Sequence, residues 1–163
     1  KKLGDKYEVK NFGVSARTMM NKGDLPYMNE LAWRDAQAFN PDIVIVKLGT
    51  NDSKTHNWAH GADEYRQSMQ AMIDTLKALP SKPKIYLCSP IPAFKDSWTI
   101  SDSIIVNGEM PIIKKLAKKN KCQFIDLHTS YTYGDLMLKD GIHPNAKGAE
   151  KMANIIFEAI EKK

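Results

Sequence analysis

Short apolar strands alternating with longer helical stretches constrain this chain more than any other feature of its sequence. Runs at Tyr7 to Asn11, Ile43 to Leu48, Lys84 to Cys88 and Gln123 to Leu127 are rich in β-branched and aromatic residues and too short for typical helices, so they read as strands. Between and after them, apolar residues recur at helical spacing, as in Tyr65, Met69, Met72, Ile73 and Leu76, and again in Met152, Ile155, Ile156, Ala159 and Ile160. Pro26 opens the first helix and Asn40-Pro41 stops it, while Leu79, Pro80 and Pro83 close the second. The order β-α-β-α-β-α-β-α needs crossover connections, which make neighbouring strands parallel. The expected class is therefore α/β, with a parallel sheet covered by helices on both faces. Ile43-Val44-Ile45-Val46 suits a central strand buried on both sides.

The 163 residues fit one domain spanning 1–163, without internal repeats or a low-complexity linker. Much of the net charge of +5 comes from lysines such as Lys114, Lys115, Lys118, Lys119 and Lys121, with pairs at Lys1, Lys2 and Lys162, Lys163. A nucleic-acid surface usually adds arginines and stacking aromatics, and none stands near this cluster, so it reads as a solvated helix face. No apolar stretch approaches the roughly 18 residues that span a bilayer, so no membrane partner is expected. Cys88 and Cys122 lie at opposite ends of adjacent strands, roughly 13 Å apart and beyond the 7 Å or so that a disulfide bridges. Free thiols leave the compartment open. The chain starts at Lys1 without a methionine or leader, which fits a removed signal peptide or a start inside a longer polypeptide. His56, His60, His128 and His143 lack nearby acidic or thiol companions in metal-site spacing, so neither metal nor cofactor is expected.

In an open parallel sheet, ligands sit beyond the carboxyl ends of the strands. Three loops there carry polar residues that need explaining: Asn11 to Thr18, Gly49 to Asp52, and Asp140 to Pro144. Asp140 and His143, three residues apart, can supply a carboxylate that orients an imidazole base; a capping turn with an incidental histidine explains them equally. Gly141 permits the tight path between them, and Pro144 biases His143 toward an extended conformation. Asn51 could cap a helix or form an Asx turn, or its amide could donate to the oxyanion formed when an ester carbonyl is attacked.

Taken together, these blocks resemble the SGNH, or GDSL-type, hydrolases from Tyr7 to the C-terminus, with closest similarity to bacterial carbohydrate O-acetylesterases, including the sialate type. Asn51 in Gly49-Thr50-Asn51-Asp52 matches the family's oxyanion asparagine, and Asp140 with His143 matches its Asp-x-x-His-Pro dyad. The resemblance implies a three-layer αβα sandwich with a flavodoxin-like sheet of order 2-1-3-4-5. Two departures stand out. Ala16 occupies the position of the oxyanion glycine in Ser15-Ala16-Arg17-Thr18; its backbone N–H still serves if the local angles tolerate a Cβ, with Gly13 as the alternative. The Gly-Asp-Ser block, which carries the nucleophile just after the family's first strand, is absent; Gly4-Asp5-Lys6 does not replace it, and Ser15 is the least poor substitute among the serines. The absent strand belongs mid-sheet, between Tyr7 to Asn11 and Ile43 to Leu48, so an upstream segment or a partner chain is expected to complete sheet and site.

The resemblance implies an esterase acting on small-molecule or glycan acyl esters, in the periplasm or outside the cell. The connections Ser53 to Gly61 and Ser89 to Thr99 bring His56, Trp58, His60, Phe94, Lys95 and Trp98 toward the rim; Gly49, Trp58 and Trp98 are the expected substrate contacts. Two other readings remain: a catalytically silent domain that binds acylated glycans, and a basic module for phosphate-rich partners. The absence of a glycine-rich phosphate loop opposes the latter.

Overall fold

The computed structural model describes residues 3–161; the terminal lysine pairs Lys1, Lys2 and Lys162, Lys163 lie outside the described residues. Helices α1 (Leu31–Ala38), α2 (Thr55–Trp58), α3 (Ala62–Ala78), α4 (Asp102–Ile104), α5 (Met110–Asn120), α6 (Leu127–Ser130) and α7 (Ala146–Glu161) surround strands β1 (Ile43–Val46), β2 (Lys84–Cys88) and β3 (Gln123–Ile125). The strands form a parallel sheet of order β1-β2-β3, with Val46 beside Leu87 and Cys88 beside Ile125. A five-residue π turn, Ile105–Glu109, joins α4 to α5.

Strand alternation divides the core into two layers. Ile85 and Leu87 of β2 face α3 and α5, packing with Met69, Met72, Ile73, Leu76, Ile113 and Leu116. Tyr86 and Cys88 point the other way, toward Ile155, Ile156 and Ile160 of α7. The protein is thus a three-layer α/β sandwich. The lysines Lys114, Lys115, Lys118, Lys119 and Lys121 are exposed on the opposite side of α5 from Ile113, Leu116 and Ala117, as their spacing requires. Both cysteines are free, and burial pushes the Cys88 thiol up to about 12. Among the described residues no helix is long and apolar enough to cross a membrane.

Three expectations need correction. Tyr7 to Asn11 forms no strand, and Tyr7 and Val9 are 46% and 70% exposed. A cavity of about 700 Å³, lined by residues from Lys6 to Val14 on one side and Ile43 to Leu48 on the other, separates this segment from β1. Without a neighbour within hydrogen-bonding distance no ladder can form, whatever the local propensity. For the same reason β1 is an edge strand, and Ile45, expected to be buried on both sides, is 42% exposed. The first helix begins at Leu31 instead of Tyr27, because Glu30 is extended after a 3-10 turn at Tyr27–Asn29.

Ile73 is fully buried between α3 and the sheet. Ile73→Ala should cost roughly 3 kcal/mol through lost burial and a residual cavity; urea unfolding should show a lower midpoint with an unchanged slope.

Candidate active site

The loops beyond the carboxyl ends of the strands meet around a cavity of about 630 Å³, whose lining includes Ser15, Ala16, Asn51, Trp98 and His143. His143 Nδ1 lies 3.2 Å from Asp140 Oδ2. Asp140 Oδ1 also accepts the backbone N–H groups of His143, at 2.8 Å, and Ile142, at 2.7 Å. Those two backbone donors, His143 first, hold the Asp140 carboxyl below its ordinary range, with His143's ring adding to the effect. A carboxylate so fixed favours the imidazole tautomer with its proton on Nδ1, which leaves Nε2 as the acceptor nitrogen. The His143 ring is 57% exposed.

The segment from Phe94 to Trp98 straps this loop. Phe94 N–H donates to Gly141 O, Ser97 Oγ to Asp140 O, and Lys95 Nζ to Lys139 O. Gly141 has φ +69°, and a Cβ there would crowd Lys95, so glycine is required twice over. Trp98 stands edge-on to the His143 ring, with centroids 5.7 Å apart, and is 58% exposed. Trp98 and Thr99 both adopt left-handed backbone angles, φ +51° and +59°, a strained arrangement for a β-branched residue.

Asn51 Nδ2 donates to Arg17 O at 3.2 Å. An amide carries two N–H donors, so the other remains for a ligand oxygen. Asn57 Nδ2 donates to Asn51 O, pinning the loop from beneath. Ala16 has φ +63°, the left-handed region where glycine is favoured. Gly13, the alternative donor, has its N–H committed to Asn11 Oδ1 at 2.8 Å.

Asp52 went unrecognised in the sequence. Its buried carboxylate accepts Met19 N–H at 2.9 Å and Met20 N–H at 2.7 Å, tying the Ala16 loop to the Asn51 loop. Partners 32 and 33 residues away leave no local signal. Burial, partly offset by these bonds, pushes Asp52 up to about 7.

Trp58 is corrected here. Its ring packs on Tyr65 and Gly108 within the core and does not line the cavity, because α2 turns it inward. Gly49 does line it, as does His56, which pairs with Asp24 at 3.1 Å. Of the serines, Ser53 Oγ donates to Thr50 O, Ser89 Oγ accepts His128 N–H, and Ser97 is in the strap. Among the described residues only Ser15 shares the cavity with His143. No group of three His, Cys, Asp or Glu suited to a metal occurs among the described residues.

The model of the GDSL-like Lipase/Acylhydrolase family matches residues 1–151. The chain is 54% identical to an acetylxylan esterase of Xylanibacter ruminicola, over 98% of its own length and 37% of that protein's. It is 28% identical to a multidomain esterase of Ruminococcus flavefaciens, over 76% of its length and 16% of the relative's. It thus spans well under half of either curated relative. Among solved structures it is similar to an acetyl xylan esterase, AlAXEase, with a TM-score of 0.75, 25% identity, and coverage of 98% of this chain and 84% of that one.

A raised Asp52 pKa makes its charge unfavourable to folding. Its contribution to stability is present below about pH 4 and lost as pH rises through about 7. Unfolding free energies of wild type and Asp52→Asn, measured between pH 4 and 8, should differ in slope: the substitution should remove part of the decline while lowering absolute stability, because one backbone donor loses its acceptor.

Proposed function

Since the chain belongs to the GDSL-like lipase/acylhydrolase family, we propose that it carries the base, the orienting carboxylate and the oxyanion donors of a serine esterase that removes acetyl groups from carbohydrate esters. The observation that carries this reading is the His143–Asp140 contact facing the same cavity as the Asn51 amide. The nucleophilic serine comes from an upstream Gly-Asp-Ser segment, or from a partner chain, whose strand occupies the cavity between residues 6–14 and β1.

In the reaction, His143 Nε2 takes the serine proton as Oγ bonds to the ester carbonyl carbon, and Asp140 stabilises the imidazolium. The carbonyl oxygen, now negative, accepts from Asn51 Nδ2 and Ala16 N–H. Collapse breaks the carbon–oxygen bond to the sugar, and His143 returns the proton to the departing hydroxyl. Water then attacks the acetyl-serine with His143 again as base, releasing acetate and restoring the serine. Trp98, exposed and edge-on to His143, offers a stacking face to the sugar ring. A polymeric glycan substrate places the enzyme in the periplasm or outside the cell.

Four proteins test this reading: the chain extended upstream through its Gly-Asp-Ser segment, and that protein carrying His143→Ala, Asn51→Ala or Asp140→Asn. Acetate release from acetylated xylo-oligosaccharide and from 4-nitrophenyl acetate should be nearly lost in the first variant and roughly a hundredfold lower in kcat in the second. The third should also be strongly impaired, by the wrong imidazole tautomer. Full turnover in His143→Ala would overturn the assignment.

A further inference from the structure

Glu109 is the most unusual side chain outside the catalytic set. It is completely buried, and neither carboxyl oxygen has a hydrogen-bond partner among the described residues. It ends the π turn that precedes α5, and single π turns in helical segments recur at functional sites. Its position is directly beneath the oxyanion loop: a Cβ placed on Gly49 would overlap Glu109 Oε2, with Tyr65 Oη and Pro90 Cγ each at 2.9 Å. Gly49 has φ +138°, and Tyr65 Oη lies 3.4 Å from the preceding carbonyl, Leu48 O. Backbone freedom and close approach therefore both demand glycine at 49, and the atom that approaches is a carboxyl oxygen.

Two buried carboxyls thus meet at one loop: Asp52 belongs to it, and Glu109 packs against its Gly49 from the π turn. Asp52 accepts two backbone N–H groups from Met19 and Met20, which favour its charged form against the effect of burial. Glu109 accepts none, and burial, followed by the charge of Asp52, pushes its carboxyl well above the ordinary range. Burial, then Glu109 and Asp52 in turn, raises Tyr65 in the same way. Burial without a hydrogen-bond partner among the described residues favours the uncharged form of Glu109. That state suits a position under the oxyanion loop, because a second negative charge there would oppose the oxyanion.

We propose that Glu109 is a positioning residue: its carboxyl braces Gly49 from below and holds the Gly49–Asp52 loop, and with it the Asn51 amide, in the geometry that receives the oxyanion. The proposal rests on the acyl-hydrolase reading for its catalytic consequence and, for the brace, on the contact between Gly49 and the planar head of Glu109, which Gln keeps and Met replaces with a flexible thioether.

The test uses the extended chain carrying Glu109→Met, which keeps length and fills the space, or Glu109→Gln, which keeps a neutral polar head. Glu109→Met should match or exceed wild type in Tm, since it removes a buried unpartnered carboxyl. Its kcat for 4-nitrophenyl acetate should nevertheless fall about tenfold with KM within about twofold, and Glu109→Gln should retain kcat within about threefold. Backbone amide exchange over residues 48–54 should be about tenfold faster in Glu109→Met than in wild type or Glu109→Gln, with α3 unchanged. Wild-type kcat or unchanged loop exchange in Glu109→Met overturns the proposal, as does Glu109→Gln being equally impaired, or a kcat loss that merely follows a lower Tm. If the extended wild type hydrolyses no ester, the functional reading fails, and the exchange comparison alone decides whether Glu109 braces the loop.

Discussion

The segment that presents Ala16 to the site is held by side chains that accept its backbone N–H groups. Asp52 takes Met19 and Met20, Ser68 takes Asn21, Glu64 takes Lys22, and Asn57 takes Asp24. Each acceptor lies on the loop after β1, on α2 or on α3, elements fixed by the buried face of the sheet. A segment without strand pairing would otherwise leave these donors unsatisfied, at a cost of about 1–3 kcal/mol for each buried one. Asp52 matters most because it satisfies two donors and stands next to Asn51.

This tie also explains why the site's parts keep their relative positions. Asn51 reaches across to Arg17 O, so the loops that carry the two proposed oxyanion donors are tied to each other. On the far side, the Asp140–His143 turn is fastened to the 93–98 segment, whose strained Trp98 and Thr99 need that fastening to persist. The proposed donors and the proposed base thus belong to two separately braced units that meet across one cavity. Preorganisation of this kind stabilises developing charge without reorganisation at the moment of reaction.

Much of this architecture was legible in the sequence. The β-branched runs at Ile43, Lys84 and Gln123 became parallel strands, because each pairs with a neighbour the chain itself supplies. Tyr7 to Asn11 has the same local character and failed, because pairing is a property of two segments and, among the described residues, none lies within pairing distance of it. The Asp140–His143 turn was legible because its contacts are local. Asp52 and Glu109 were not, since their surroundings come from distant segments. Trp58 misled because a loop aromatic looks alike whether it turns outward or, as here, onto Tyr65.

The central claim is that this chain supplies the base and oxyanion donors while the nucleophile comes from outside residues 1–163. Labelling the extended protein with a fluorophosphonate, followed by peptide mass spectrometry, tests it directly. A single adduct on the serine of the Gly-Asp-Ser segment, lost when His143 is replaced by Ala, is the predicted result. An adduct on Ser15, or on any other serine of this chain, would contradict it.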